Sequence, residues 1–180
     1  MNDISLELAK LHILTGADFI RQLKSIVSSG EFHPVEGETD IFSVGGEKGE
    51  DYENLLNAAR KAVEHGYRVY MLPNPKGVRT ADFIFERKEV YKMFDLKTIT
   101  GSGSVDNRLA ESVGQSNRVL LNMATNYRAG LLARAILSYF ERSAEAREVV
   151  VMKGNRYISV TRQTILDKKF IISFSKKYYK

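Results

Sequence analysis

The sequence predicts an α/β fold: a mixed central β-sheet flanked by helices, preceded by an N-terminal helical extension. Three observations predict it. Beyond residue 50, short β-rich runs alternate with amphipathic helical stretches. Two of those runs, 81–85 and 90–99, are joined by the polar segment ERKE, as in a hairpin. Before residue 30 the pattern is helical, and a Gly- and acid-rich stretch follows it.

Each element can be justified in turn. ISLELAKLHIL and ADFIRQLKSIV place apolar residues at helical spacing over 4–28, with breaks at Gly16 and Gly30. Residues 29–49, which include Pro34, read as a loop. A boundary there separates 1–46, extension and loop, from an α/β domain over 47–180. A helix over 50–65 stops at Gly66. RVYML (68–72) is a strand, PNPKG (73–77) a turn, and ADFIF (81–85) and VYKMFDLKTI (90–99) are the hairpin strands. TGSGS (100–104) links to a helix over 104–115. RVLLNM (118–123) is a buried strand, and a long apolar helix follows over 127–146. REVVVM and RYISVT are two more strands, with FIISF near the end.

Composition excludes several kinds of chemistry. The chain of 180 residues has no cysteine, which removes disulfides, zinc–thiolate sites, iron–sulfur clusters and thiol catalysis. Three histidines without paired spacing argue against a histidine metal cage. No apolar run reaches the roughly 18 residues of a membrane span. The net charge of +5 hides a gradient. Residues 1–65 hold 6 Lys/Arg and 12 Asp/Glu, 66–149 hold 13 and 9, and 150–180 hold 8 and 1. A basic C-terminal half suits a polyanionic partner, because neutralised phosphates release counterions.

The most informative stretch runs from Asp82 to Lys97. Asp82 and Asp95 fall on adjacent candidate strands, and Lys97 follows Asp95 by two. Period-2 geometry puts Asp95 and Lys97 on one face, with Phe94 and Leu96 on the other, packed face. Two carboxylates suit Mg²⁺ or a similar hard cation, which lowers the pKa of a bound water. A neighbouring ammonium orients the attacking water or stabilises developing phosphorane charge. The plain alternative is a cross-strand ion pair worth about 0–1 kcal/mol. In the helix 50–65, Tyr52, Leu55, Leu56, Ala59 and Val63 form a core-facing stripe. Glu53 lies beside that stripe, where a carboxylate can reach the sheet, and Glu50 points toward solvent.

Further candidates face a substrate. On the helix 104–115, Arg108, Ser112 and Gln115 make a polar stripe beside Val105, Leu109 and Val113. TGSGS offers backbone N–H groups near a helix start, or is simply a linker. Lys153, Arg156 and Arg162 surround RYISV and could line a nucleic-acid groove, with Tyr157 stacking on a base. The tail SKKYYK reads either as a basic aromatic segment or as a frayed end.

The order of these features resembles the PD-(D/E)xK nuclease superfamily. More narrowly, residues 47–125 are similar to the C-terminal toxin domains of CdiA-type contact-dependent growth inhibition proteins. The residues that carry the resemblance are Glu53-Asn54, Gly66-Tyr67-Arg68-Val69, Gly77 through Asp82, Asp95-Leu96-Lys97, and Gln115-Ser116-Asn117-Arg118-Val119. Ala81 stands where the superfamily often has Pro, a backbone preference that leaves the chemistry intact.

The resemblance implies a metal-dependent nuclease toxin, with RNA (tRNA in particular) a more expected substrate than DNA. Asp82 and Asp95 would be metal ligands, and Glu53 a third acidic ligand or water orienter. Lys97 would position water or stabilise charge, and Arg108 and Gln115 would assist with substrate. The expected cofactor is Mg²⁺. Such a domain acts in the cytoplasm, is delivered as part of a larger secreted protein or stands alone, and has an acidic cognate immunity protein. Two alternatives remain. Lys97-Thr98-Ile99-Thr100-Gly101 also fits metal-independent barnase-like and EndoU-like RNases, with Lys97, Thr98 and Arg108 acting without an ion. An inactive nucleic-acid-binding module on the same fold is the other. In the active readings, Asp95→Ala or Lys97→Ala should abolish cleavage with thermal stability near wild type.

Overall fold

The computed structural model describes residues 4–45, 48–73, 80–101, 105–113 and 116–180. Among them are seven α-helices and eight strands in a mixed sheet. Packing divides the chain into two units, residues 1–94 and 95–180.

The first unit begins with α1 (Ile4–Lys10), a short 3₁₀ turn (Leu11–Ile13) and α2 (Gly16–Val27). The helical periodicity expected over 4–28 is thus realised as two helices with a break before Gly16. Their apolar stripes are part of this unit's core: Ile4, Leu8, Leu11, Leu23 and Ile26 bury together with Tyr70 and Ile84. Residues 29–49 are not all loop, which corrects the expectation. They contain β1 (His33–Pro34) and β2 (Ile41–Ser43), too short for period-2 alternation to show in sequence.

Next come α3 (Tyr52–Glu64), β3 (Arg68–Met71), β4 (Phe83–Arg87) and β5 (Val90–Ile99), which runs on into the second unit. Leu56, Ala58, Ala59 and Ala62 are the buried face of α3. That helix stops where the sequence requires. Gly66 sits at φ +90°, and the Tyr67 and Gly66 N–H groups donate to the Ala62 and Val63 carbonyls. This closes the orphan carbonyls in a Schellman motif. β1 and β2 are antiparallel, β2 and β3 parallel, and β3, β4 and β5 antiparallel. Tyr67, Phe83, Phe85 and Phe94 form a chain of ring contacts with centroids 4.8–5.6 Å apart. Such contacts add to the area that the rings bury.

The second unit continues β5 and adds α4 (Val105–Glu111), β6 (Arg118–Met123), α5 (Ala129–Arg142), β7 (Glu148–Lys153) and β8 (Arg156–Thr161). It ends with α6 (Arg162–Ile165) and α7 (Phe170–Tyr179). The segment FIISF therefore opens a helix. Its Phe170, Phe174 and Tyr178 are all buried at i, i+4 and i+8, a helical period. β5, β6 and β7 are parallel, and β7 and β8 antiparallel. Val119, Leu121, Val149, Val151, Ile158 and Val160 bury one face of these strands with apolar residues of α4, α5 and α7. The end of the chain is not frayed: the Tyr179 hydroxyl accepts the Ala129 N–H at 3.0 Å and so satisfies a free donor at the start of α5.

Candidate functional site

β5 holds the centre of the candidate site in the second unit. Asp95 pairs with Val119, Lys97 with Leu121, and Ile99 with Met123. Paired residues share a face, so Asp95 and Lys97 point to the side covered by α4 and α5. Thr98 pairs with Asn122 and points to the other side. The sequence expectation for Asp95 and Lys97 holds here. The addition is that their face is packed: Asp95 is only 3% exposed.

A buried carboxylate needs a counter-charge. Lys97 Nζ lies 3.6 Å from Asp95 Oδ2, and its side chain is only 13% exposed. A second carboxylate approaches from α4, with Glu111 Oε2 3.9 Å from Lys97 Nζ. Arg108 then closes the chain, its Nη1 3.3 Å from the same Glu111 oxygen. Two acids and two cations thus alternate from the strand outward: Asp95, Lys97, Glu111, Arg108. Tyr139 of α5 senses this charge. Burial first, and the negative charge of Asp95 second, push its phenol up to about 12.

Glu111 was missed by reasoning from sequence. Its i,i+3 relation to Arg108 is legible, but its approach to Lys97 depends on how α4 lies beside β5. The expected Arg108–Ser112–Gln115 stripe breaks for a related reason. α4 ends at Glu111, so the helical period stops there. Ser112 turns fully inward, where its Oγ has no hydrogen-bond partner in the described structure, while Val113 is half exposed. Ser112 is therefore not available to a ligand. Arg108 stays partly exposed beside Glu111, and Gln115 lies outside the described residues, as do 102–104 of TGSGS.

Asp82 and Glu53 belong to the first unit. The Asp82 N–H donates to the Phe94 carbonyl at 3.0 Å, just beyond the Phe83–Phe94 pair. Glu53, exposed on the first turn of α3, helps line an open cavity of about 410 Å³ with Tyr52, Leu56, His33, Val44 and Lys48. Among the described residues, no group of three or more His, Asp or Glu side chains is placed to hold a metal ion.

Around RYISV, each cation of the expected basic groove also engages a neighbouring ring or carbonyl. Lys153 sits over the ring of Tyr178, 4.1 Å from its centroid. Arg156 donates to the Tyr178 carbonyl at 2.8 Å. Arg162 donates to the carbonyls of Phe140 and Ser143 and stacks on the Phe140 ring. These contacts tie Lys153 of β7, Arg156 of β8 and Arg162 of α6 to α7 and α5, and their neutral partners leave the positive charges in place.

Compared with family models, with curated proteins and with solved structures, the chain gives no match.

Proposed function

We propose that this chain is a metal-dependent nuclease that cleaves phosphodiester bonds, RNA before DNA. The observation that carries the reading is the Asp95–Lys97 pair: a buried carboxylate and a largely buried ammonium 3.6 Å apart on one face of β5. Within the nuclease reading, Lys97 donates a hydrogen bond to a phosphate oxygen or to the attacking water, and Asp95 holds Lys97 in place while offering oxygen to a hard cation. Asp82 is the second proposed ligand and Glu53 the third acid. The donor chemistry fits Mg²⁺, which is commonly held by only one or two protein carboxylates together with waters and substrate phosphate. Bound there, the ion would supply Lewis acidity and a more acidic water.

The metal-independent reading is less well supported, because it needs Lys97, Thr98 and Arg108 to act together. Lys97 and Thr98 are consecutive on a strand and face opposite sides. The toxin role, cytoplasmic action and an acidic immunity protein go with the nuclease reading as proposals. No described helix is long and apolar enough to cross a membrane.

The test is an assay on total RNA, tRNA and DNA with Mg²⁺ and with EDTA. Cleavage that depends on Mg²⁺ supports the reading. Cleavage that survives EDTA moves it to the metal-independent class, and a folded chain with no cleavage of any substrate refutes it.

A further inference from the structure

We infer that the outer face of α7 and the turn before it form a docking stripe for a nucleic-acid phosphate backbone. The stripe consists of Lys168, Lys169, Lys176, Lys177 and Lys180, all exposed. Among the described residues, none of the five takes part in an ion pair. Lys153, Arg156 and Arg162 are likewise outside any described ion pair, and differ from the five only in contacting rings and carbonyls.

Helix geometry gathers the charges. At about 100° per residue, Lys169, Lys176 and Lys180 fall within roughly 40° of one another, with Lys177 beside them. At about 1.5 Å per residue, the row extends roughly 16 Å, several phosphates along one strand. The opposite face of α7, Phe170, Phe174 and Tyr178, is buried in the core, which fixes the row outward. Asp167, the single acid in 150–180, is engaged with the Lys169 backbone N–H. The placement also runs against local preference. Lys168 and Lys169 stand at the positive end of α7, whose first turn has no acid. Two cations kept where the helix dipole disfavours them raise the local potential for an anion.

The partner chemistry follows from what is already buried. A membrane-surface helix needs a free apolar face to sink into the lipid. Phe170, Phe174 and Tyr178 of α7 are used within the fold, leaving Leu166, Ile172 and Tyr179 as scattered exposed apolar residues near the lysines. A phosphodiester backbone asks only for the charges.

The stripe and the candidate site share one unit. Lys97, Leu121, Val151 and Ile158 are in register on one face, with α7 packed beyond at the β8 end. Three strand spacings separate the ends of that row, roughly 14 Å. The inference deepens the nuclease reading and rests on it for the identity of the polyanion.

The experiment measures binding apart from turnover. A fluorescein-labelled RNA duplex of 20 base pairs is titrated in EDTA at salt concentrations from about 50 to 200 mM. The wild-type chain is compared with a variant carrying Lys168→Gln, Lys169→Gln, Lys176→Gln, Lys177→Gln and Lys180→Gln. A charge-matched control carries Lys10→Gln, Arg21→Gln, Lys24→Gln, Arg134→Gln and Arg147→Gln, and circular dichroism checks the fold of each. The stripe predicts at least a tenfold loss of affinity at low salt for the first variant alone, and a log–log salt slope flatter by about 4. Equal losses in both variants, no loss in the first, or wild-type binding to phosphatidylserine vesicles but not to RNA would overturn it. Cleavage that persists with binding unaffected by the five substitutions keeps the nuclease reading and removes the stripe. Stripe-dependent binding without any cleavage does the reverse.

Discussion

Arg118 Nε lies 3.1 Å from Glu148 Oε1, joining the first residues of two parallel strands, β6 and β7. Ser159 of β8 donates to the other oxygen of the same carboxylate at 2.5 Å. Glu148 is 3% exposed, so these partners replace the water it has lost. Removing the cation alone strands a buried charge. Arg118→Ala should cost about 3–5 kcal/mol in urea unfolding. Arg118→Met with Glu148→Met and Ser159→Ala should recover most of that loss, because an apolar replacement leaves nothing to desolvate. Failure of the triple variant to recover would mean that the pair specifies the register of the strands.

At the candidate site, Asp95→Asn and Lys97→Met should each lower cleavage at least about 100-fold, as expected for groups that stabilise developing charge. Glu111→Gln should cost less than tenfold, since Asp95 still holds Lys97. Lys97→Ala is also expected to destabilise the fold, by about 1–3 kcal/mol, since it leaves the buried Asp95 carboxylate short of its cation. This replaces the expectation of unchanged stability. Thermal unfolding, read beside initial rates of cleavage, separates the two effects.

Tyr139 supplies a pH dependence whose direction follows from linkage. Its phenol titrates near 10 when unfolded and is pushed up to about 12 in the fold. Between those values the unfolded chain has lost a proton that the folded chain keeps. Its contribution to stability is therefore complete below pH 10 and is lost as pH rises through 12. Urea midpoints measured from pH 9 upward should fall more steeply for the wild type than for Tyr139→Phe.

The hairpin between β4 and β5 turns through Lys88 and Glu89 at φ 52° and 65°, between the paired Arg87 and Val90. A two-residue turn with both φ positive is the geometry that favours Asn-Gly. Replacing Lys88-Glu89 with Asn-Gly should stabilise the chain by roughly 1–2 kcal/mol. The Glu89 N–H to Glu86 bond is available to both sequences, so an unchanged unfolding midpoint would show that the positive φ values cost Lys88 and Glu89 little.

Tyr179→Phe removes the hydroxyl that accepts the Ala129 N–H at the start of α5. The expected loss is about 1 kcal/mol, with the fold unchanged. Faster amide exchange at Ala129 would locate the effect.

Local pattern determined a good deal. The bounds of α3, its stop at Gly66, the β4–β5 hairpin and the strands 118–123, 148–153 and 156–161 are all settled by composition and period within a few residues. So is the shared face of Asp95 and Lys97, because alternation along a strand is covalent geometry. Tertiary structure decided the rest. FIISF carries an apolar run too short to fix its period, and it is helical because Phe170, Phe174 and Tyr178 find a core to fill. Whether a cation serves a ligand or the fold is equally non-local. Lys153, Arg156 and Arg162 look like a groove in sequence, and only the fold adds the rings and carbonyls from distant elements that each of them also contacts. Glu111 reaches Lys97 only because α4 is packed beside β5. A side chain's rotamer and period are set by its neighbours in the chain, but its electrostatic partners are set by which elements share a core.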